Sequence, residues 1–209
     1  MNKALDKTFY DRQSQVKFEY KKRIVINKRA ITLDPKNYDH HYHWARMRIE
    51  QGEYHQSESK FREVTILDPE NSNAFNHLGV CLAKQGKYDH AIITYRKGLE
   101  ICPNHLDIIH NLAITLTKTG DYEEAAEWYA QVRESRPFDE ALYTCLGYLC
   151  FLQGNYQEAS LNFESAIRIN PRYCMPYFNQ ALAFYCQDGK EKESKDVFKS
   201  GIASMKAEN

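Results

Sequence analysis

Three histidines stand close together near the start of the chain, in the stretch YDHHYHW. His40 and His43 would lie about one turn apart on a helix, so their ring nitrogens could in principle share a metal ion. No cysteine or carboxylate constellation joins them. We therefore expect a partly exposed histidine cluster at a rim of the fold, and we expect neither a metal nor any other cofactor.

The remaining residues with reactive side chains show no catalytic pattern. The six cysteines contain no CxxC pair and are irregularly spaced, which is typical of small, buried, reduced side chains. The sequence has no glycine-rich phosphate loop, no G-x-S-x-G and no H-E-x-x-H. These observations predict a protein that is not an enzyme.

Composition indicates a folded globular protein. The 209 residues are 43% apolar and 27% charged, which is ordinary for such a chain. The stretch 141–152 is the longest nearly apolar one and is too short to span a bilayer, and the N-terminus has no apolar signal-peptide core. We expect a cytoplasmic protein that meets a membrane or organelle surface only peripherally, through a partner.

Charge is uneven along the chain although the total is zero. Residues 1–36 hold ten Lys/Arg against four Asp/Glu, a net charge of +6, whereas residues 37–186 have a net charge of −6. On the predicted first helix, the basic side comprises Lys21, Lys22, Lys28 and Arg29. This face is either a solvated surface or a contact for an acidic partner, an anionic membrane or the acidic body of another copy. Nucleic acid is not an expected partner, because the chain is neutral and lacks a nucleic-acid-binding motif.

Most of the chain consists of an internal sequence repeat. Prolines recur every 34 residues, at 35, 69, 103, 137 and 171. Glycines at 52, 86, 120 and 154 keep the same step, and a tyrosine follows each of them two residues later. Small residues form further columns at 45, 79, 113, 147 and 181 and at 57, 91, 125 and 159, and aromatic residues form one at 61, 95, 129 and 163.

Each column has a physical reason. A glycine tolerates the left-handed conformation that ends a first helix, and a proline stops the second because it lacks an N–H and clashes with the preceding turn. Small residues such as Gly79 and Ala91 let two helices approach closely, while Leu78 and Tyr95 fill the space between them. One such pair cannot bury its apolar face alone, so it must stack on its neighbours.

The pattern resembles the tetratricopeptide repeat, a 34-residue helix–turn–helix unit with the signature W-x2-L-G-x2-Y, A-x3-F, P. In 72–105 the matching residues are Phe75, Leu78, Gly79, Ala91, Tyr95 and Pro103. The resemblance implies an all-α fold, a right-handed superhelix or α-solenoid. It predicts a single domain, 1–209. Residues 1–37 form an N-terminal helical region with a degenerate half repeat. Five repeats follow, at 38–71, 72–105, 106–139, 140–173 and 174–207, and the last of them is degenerate and forms a C-terminal cap. In that cap the glycine arrives one residue late and Gln180 replaces a leucine.

In this family the first helices line a concave groove that holds peptides or helices. By register, the resemblance places the following residues in that groove: Tyr42, His43, Arg46, Asn76, His77, His110, Asn111, Tyr148, Phe151, Phe178, Asn179, Leu182 and Tyr185. The N-terminal half of this set is polar and the C-terminal half aromatic. An aromatic cluster in a concavity is where binding energy is usually concentrated, although the same side chains could instead pack against the last helix or each other.

Two specific family roles do not fit. The clamp that holds a C-terminal carboxylate in chaperone-binding members needs Lys, Asn and Arg at positions that hold Tyr42, Arg46, His77, Asp107 and Asn111 here. The asparagine ladder of glycosyltransferase-type repeats is met only by Asn111 and Asn179, which is no basis for assigning that partner.

The resemblance therefore predicts a protein-interaction module, an adaptor or scaffold that binds a protein or peptide partner of unknown identity. Two alternatives stay open: a homo-oligomeric scaffold assembled through the basic N-terminal arm, and a chaperone for a secretion or assembly system.

Overall fold

The structure is a computed structural model that describes residues 22–207, so the predictions for residues 1–21, including Lys21, lie outside it. Within the described residues there are eleven helices and no strand, which confirms the predicted all-α fold. The helices are α1 (22–33), α2 (Tyr38–Glu50), α3 (Tyr54–Leu67), α4 (Ser72–Lys84), α5 (Tyr88–Ile101), α6 (Leu106–Thr119), α7 (Tyr122–Ser135), α8 (Glu140–Leu152), α9 (Tyr156–Ile169), α10 (Met175–Tyr185) and α11 (Glu191–Ala207).

The glycine and proline columns end the helices as predicted. Gly120 caps α6 with a φ of 94°, a left-handed conformation that L side chains rarely adopt, and its N–H bonds to the carbonyl of Leu116 at 3.0 Å. At the second helices, α5 ends at Ile101 and Cys102 takes a non-helical conformation before Pro103, because the proline ring disfavours a helical residue in front of it.

Two compact units divide the chain, one ending at Pro103 and the other beginning at Asn104. In the first unit, α2 packs on α3, α3 on α4 and α4 on α5. In the second, each helix from α6 to α11 packs on the next. The single domain spanning the chain stays a prediction.

Buried aromatic rings fill the space within the four helix pairs from α2–α3 to α8–α9. In α4–α5, a Cβ placed on Gly79 would lie 2.3 Å from Cε1 of Tyr95, and in α8–α9 a Cβ on Gly147 would lie 2.6 Å from Cε1 of Phe163. Both rings are buried. The glycines are therefore required by the close approach of the two helices and not by backbone conformation.

Buried hydrogen bonds join neighbouring helices as well. Ser57 Oγ donates to the carbonyl of Ala45 at 2.9 Å, which joins α3 to α2. Gln180, which stands where the repeat has a leucine, is buried, and its Nε2 donates to the carbonyl of Ser160 at 3.0 Å. The polar replacement is therefore tolerated because its amide is hydrogen-bonded to the neighbouring helix.

Glu58 on α3 connects one repeat to the next in the first unit. Its carboxylate accepts hydrogen bonds from Lys87 Nζ at 2.8 Å and Gln85 Nε2 at 2.9 Å, both beyond the end of α4, and from Arg62 on its own helix. Burial by itself would raise the pKa of Glu58, but the hydrogen bonds from Lys87, Arg62 and Gln85 outweigh it and lower the pKa to about 2.

We expect Glu58→Gln to lower the free energy of unfolding by about 1 kcal/mol at pH 7, since the donors Lys87 and Arg62 are partly exposed and screened by solvent. Because the folded-state pKa is depressed, this stabilisation is complete above the unfolded pKa and is lost as pH falls from about 4 towards 2. Urea titrations of both proteins should show the full difference at pH 7 and a difference that shrinks as the pH is lowered to 3. Glu164→Gln, which removes an exposed pair with Arg168, is the control and should change stability little.

Replacing Gly79 with alanine should destabilise the protein by about 1–2 kcal/mol, because the added methyl group overlaps the buried Tyr95 ring. The free-energy cost of this overlap exceeds the gain in helix propensity from glycine to alanine. Thermal unfolding followed by circular dichroism would measure the change. An unchanged or higher melting temperature would show that the ring moves freely and that the glycine is not needed for packing.

Candidate functional site

A pocket of about 180 Å³ opens in the second unit, between α6, α7, α8 and α10. Tyr148 and Asn179, two of the residues predicted from the repeat register, lie in its lining. The other lining residues are Ile114, Thr117, Lys118, Tyr129, Thr144 and Cys145. The pocket thus brings side chains from three successive repeats together at one place.

The floor of this pocket is buried and uncharged. Tyr129 is 1% exposed, its hydroxyl lies 3.5 Å from Thr117 Oγ1, and burial raises its pKa. Burial also raises the pKa of the Cys145 thiol to about 11, so the thiol is protonated near neutral pH and is a poor nucleophile there. The floor therefore suits an apolar group.

The rim is accessible and partly polar. Tyr148 is 47% exposed, Asn179 is half-buried and Lys118 is exposed. An amide can donate to and accept from a peptide backbone, and an ammonium adds a positive charge beside it. Apolar depth with a polar edge is the arrangement expected of a binding site.

The remaining C-terminal residues of the predicted set lie around a larger, open groove of about 560 Å³ on α10 and α11. Phe178, Leu182 and Tyr185 come from α10, and Phe198 faces them from α11 with its ring 5.3 Å from that of Phe178. Tyr185 is 74% exposed and Leu182 is half-exposed. Sequence reasoning missed Phe198, which falls one residue off the 34-residue step of the aromatic column.

Phe151 has a packing role. Its ring lies 5.2 Å from that of Tyr156, and its side chain packs against a buried cluster that includes Phe163 and Ala183. Phe151 therefore packs against its neighbours, which is the alternative given above for the aromatic residues of this set. We do not include it in the binding surface.

His110 and Asn111 are only partly accessible. The His110 ring lies 6.2 Å from that of Tyr129, and burial lowers the pKa of the imidazole. Within the described residues its Nδ1 is buried without a hydrogen-bond partner. Asn111 is half-buried. His110 therefore adds more to the interior of the repeat than to its surface.

The first unit holds an aromatic cluster beside the polar residues predicted there. The Tyr42 ring contacts those of Phe61 and His77, with centroids 5.6 and 5.5 Å away, and Phe61 stacks on His77 at 5.2 Å. Burial raises the pKa of Tyr42, although Arg46 opposes the shift. Asn76 is only 7% exposed, so its side chain lies in the interior and not on a binding surface.

The histidines of the opening stretch have different surroundings. His41 is buried, with Nε2 2.9 Å from the carbonyl of Pro35 and Nδ1 2.9 Å from Oε2 of Glu63, so it joins the residues before α2 to α3. His40 is half-buried, and His43, like the neighbouring Arg46, is exposed. No group of three ligating side chains that could hold a metal occurs in residues 22–207.

The described part of the basic face is exposed. Lys22, Lys28 and Arg29 lie on the surface of α1, and so do the apolar side chains of Val25, Ile26 and Leu33, which are more than half exposed. Among the helices of residues 22–207, none is long and apolar enough to cross a membrane. The cysteines at 81, 102, 145, 150, 174 and 186 are all free thiols.

The protein consists of helix pairs in which a glycine turn joins the two helices and a proline follows the second. Such pairs define a helical-repeat protein, a class that binds other proteins. The chain is a tetratricopeptide repeat protein: family models described as tetratricopeptide repeats match residues 70–137 and 140–173.

Solved structures with the same fold are distant in sequence. The structure titled MamA 41-end from Desulfovibrio magneticus RS-1 has 16% identity and a TM-score of 0.73, over 82% of this chain and 97% of that chain. YrrB, titled a TPR protein with an unusual peptide-binding site, has 15% identity and a TM-score of 0.65, over 86% and 92%. No curated protein sequence matches the chain. At these identities the similarity establishes the fold alone.

The lowered pKa of the half-buried His110 predicts that stability depends on pH. Since its folded-state pKa is lowered, the unfolded chain binds the proton more readily, and stability falls as pH drops through the unfolded pKa of about 6.5. We expect the urea midpoint of His110→Asn to fall less between pH 7.5 and pH 5.5 than that of the unchanged protein. His43→Gln, at an exposed site, should keep the original pH dependence, and a parallel fall in both variants would contradict the assignment.

Proposed function

We propose that this protein is a non-enzymatic adaptor or scaffold that binds a partner peptide at the pocket between α6, α7, α8 and α10. The observation that supports the proposal most directly is the apolar pocket of about 180 Å³ with Tyr148, Asn179 and Lys118 at its rim. A tetratricopeptide fold is typically a protein-interaction module, and the protonated Cys145 leaves the pocket without an activated nucleophile.

The size of the pocket favours a peptide over a small-molecule ligand. Pockets for drug-sized ligands are roughly 300–1,000 Å³, so this one suits a single large apolar side chain. Asn179 would hold the peptide backbone beside that anchor. Lys118 would favour an acidic residue next to it, and Tyr148 would cover the anchor as an aromatic contact of the kind that concentrates binding energy. The similar fold of YrrB, titled as having a peptide-binding site, is consistent with this role.

A second candidate function is self-assembly through α1. The observation in its favour is that Val25, Ile26 and Leu33 are exposed beside the basic residues Lys22 and Lys28, an apolar and charged surface that another copy could cover. Either function is compatible with a cytoplasmic protein that reaches a membrane or organelle surface only through a partner. A chaperone role in a secretion or assembly system would use the same peptide pocket.

Peptides selected from a random phage-displayed library on the full chain would test the peptide pocket. We expect selected peptides to share an apolar anchor next to an acidic residue. Tyr148→Ala should weaken their binding at least about tenfold, the loss expected of a hot-spot residue, as measured by fluorescence anisotropy. Ile114→Trp, which adds bulk at the pocket wall, should also weaken it.

Tyr38→Ala removes an equally large and similarly exposed side chain from α2 and is the matched control. Equal binding by Tyr148→Ala and the unchanged protein would refute the pocket assignment. Light scattering of the same samples addresses the second candidate: a species larger than a monomer that dissociates at high salt supports assembly through the basic α1.

A further inference from the structure

One member of the aromatic column differs from all the others. Phe61, Tyr95, Tyr129 and Phe163 are at most 1% exposed, whereas Phe198, their equivalent in α11, is 49% exposed. The step to Phe198 is 35 residues because the glycine of that repeat arrives one residue late. A ring that is buried in every earlier repeat is thus partly uncovered on α11.

The second unit shows what normally covers this surface. On α6 and α7, the side chains of Ile114, Thr117 and Tyr129 form the wall against which α8 packs. Their equivalents on α10 and α11 are Leu182, Tyr185 and Phe198, and these line the open groove of about 560 Å³. Within residues 22–207, no helix lies over that groove. It is the surface on which a following first helix would pack.

Charge indicates what kind of helix fits. Glu58 precedes Phe61 by three residues, and its carboxylate pairs with Lys87 and Gln85, which lie just beyond the end of the helix that packs there. Lys195 precedes Phe198 by the same three residues, so it occupies the position equivalent to Glu58 and carries the opposite charge. Lys199, a second basic residue of the groove lining, lies one helical turn beyond Lys195. The group that pairs there should therefore be a carboxylate.

We propose that the α10–α11 groove is a docking site for an amphipathic helix of a partner protein, apolar on the face that covers Phe198 and acidic just beyond its C-terminal end. The helix would occupy the place of a following repeat's first helix. The basic α1 of a second copy is disfavoured as the occupant, because its charge has the same sign as that of Lys195 and Lys199. The proposal does not depend on the peptide pocket at Tyr148.

Two fluorescent peptides test this site on the full chain. Both copy residues 71–87, the helix that packs on α3 together with the paired residues that follow it, and both carry Cys81→Ser. One keeps Lys87 and the other carries Lys87→Glu. At low salt we expect the Glu peptide to bind roughly two- to fivefold more tightly than the Lys peptide, and the difference to disappear at high salt.

Variants of the groove locate the binding. Phe198→Ala should weaken both peptides at least about tenfold, as loss of a central aromatic contact does. Lys195→Glu should reverse the preference in favour of the Lys peptide. Lys192→Glu makes the same change of charge on α11 outside the groove lining and should leave the preference unchanged. Tyr148→Ala should retain peptide binding, which separates this site from the proposed peptide pocket.

Three results would overturn the proposal: neither peptide binds, Phe198→Ala binds both as well as the unchanged protein does, or Lys195→Glu leaves the preference for Glu intact. A fourth is a dimer of the protein alone, seen by light scattering, that Phe198→Ala dissociates. That result would identify a second copy as the occupant of the groove. Because Phe198 is half-exposed and Lys195 exposed, we expect both variants to fold.

Discussion

The helix pair α8–α9 depends on an aromatic ring that it can cover on one side only. Phe163 shows the arrangement: its ring lies against Gly147 of the same pair, and the buried cluster around it is completed by Ala183 of the next pair. Removing the following helix would expose the ring to water. The stability of this pair therefore comes in part from its contact with the pair that follows it.

This requirement divides the residues between packing and binding. The positions that recur in every repeat hold the glycines, small residues and rings that packing demands, so they have little freedom to contact a partner. One column of the first helices that differs between repeats holds Ile114, Tyr148 and Leu182, and these side chains lie at the surface or at a pocket wall. A scaffold of this kind can change its ligand by changing such a column while the packing stays intact.

The fold could be predicted almost completely from the sequence, because glycine and proline act on the backbone locally and their 34-residue spacing places the helix ends. The surface could be predicted only in part. Register identifies the side of a helix on which a residue lies, but depth depends on the neighbouring helices. Asn76 and Phe151 lie on the predicted side and are nonetheless taken up by packing. Phe198 falls one residue off the 34-residue step of the aromatic column, so register does not identify it as the half-exposed ring that it is. For His41 and Gln180, no spacing rule identifies the backbone carbonyl that each approaches.

The hydrogen bond from Gln180 to the carbonyl of Ser160 has a consequence for how α10 can move. Leucine in its place could slide along α9 with little change in free energy, since apolar contact has no direction. An amide bonded to one particular carbonyl in a dry environment cannot slide, because a displacement would leave both polar groups without partners at a cost of roughly 1–3 kcal/mol. The last helix pair is thus held in one position on its neighbour, and any ligand of α10 meets a surface of fixed geometry.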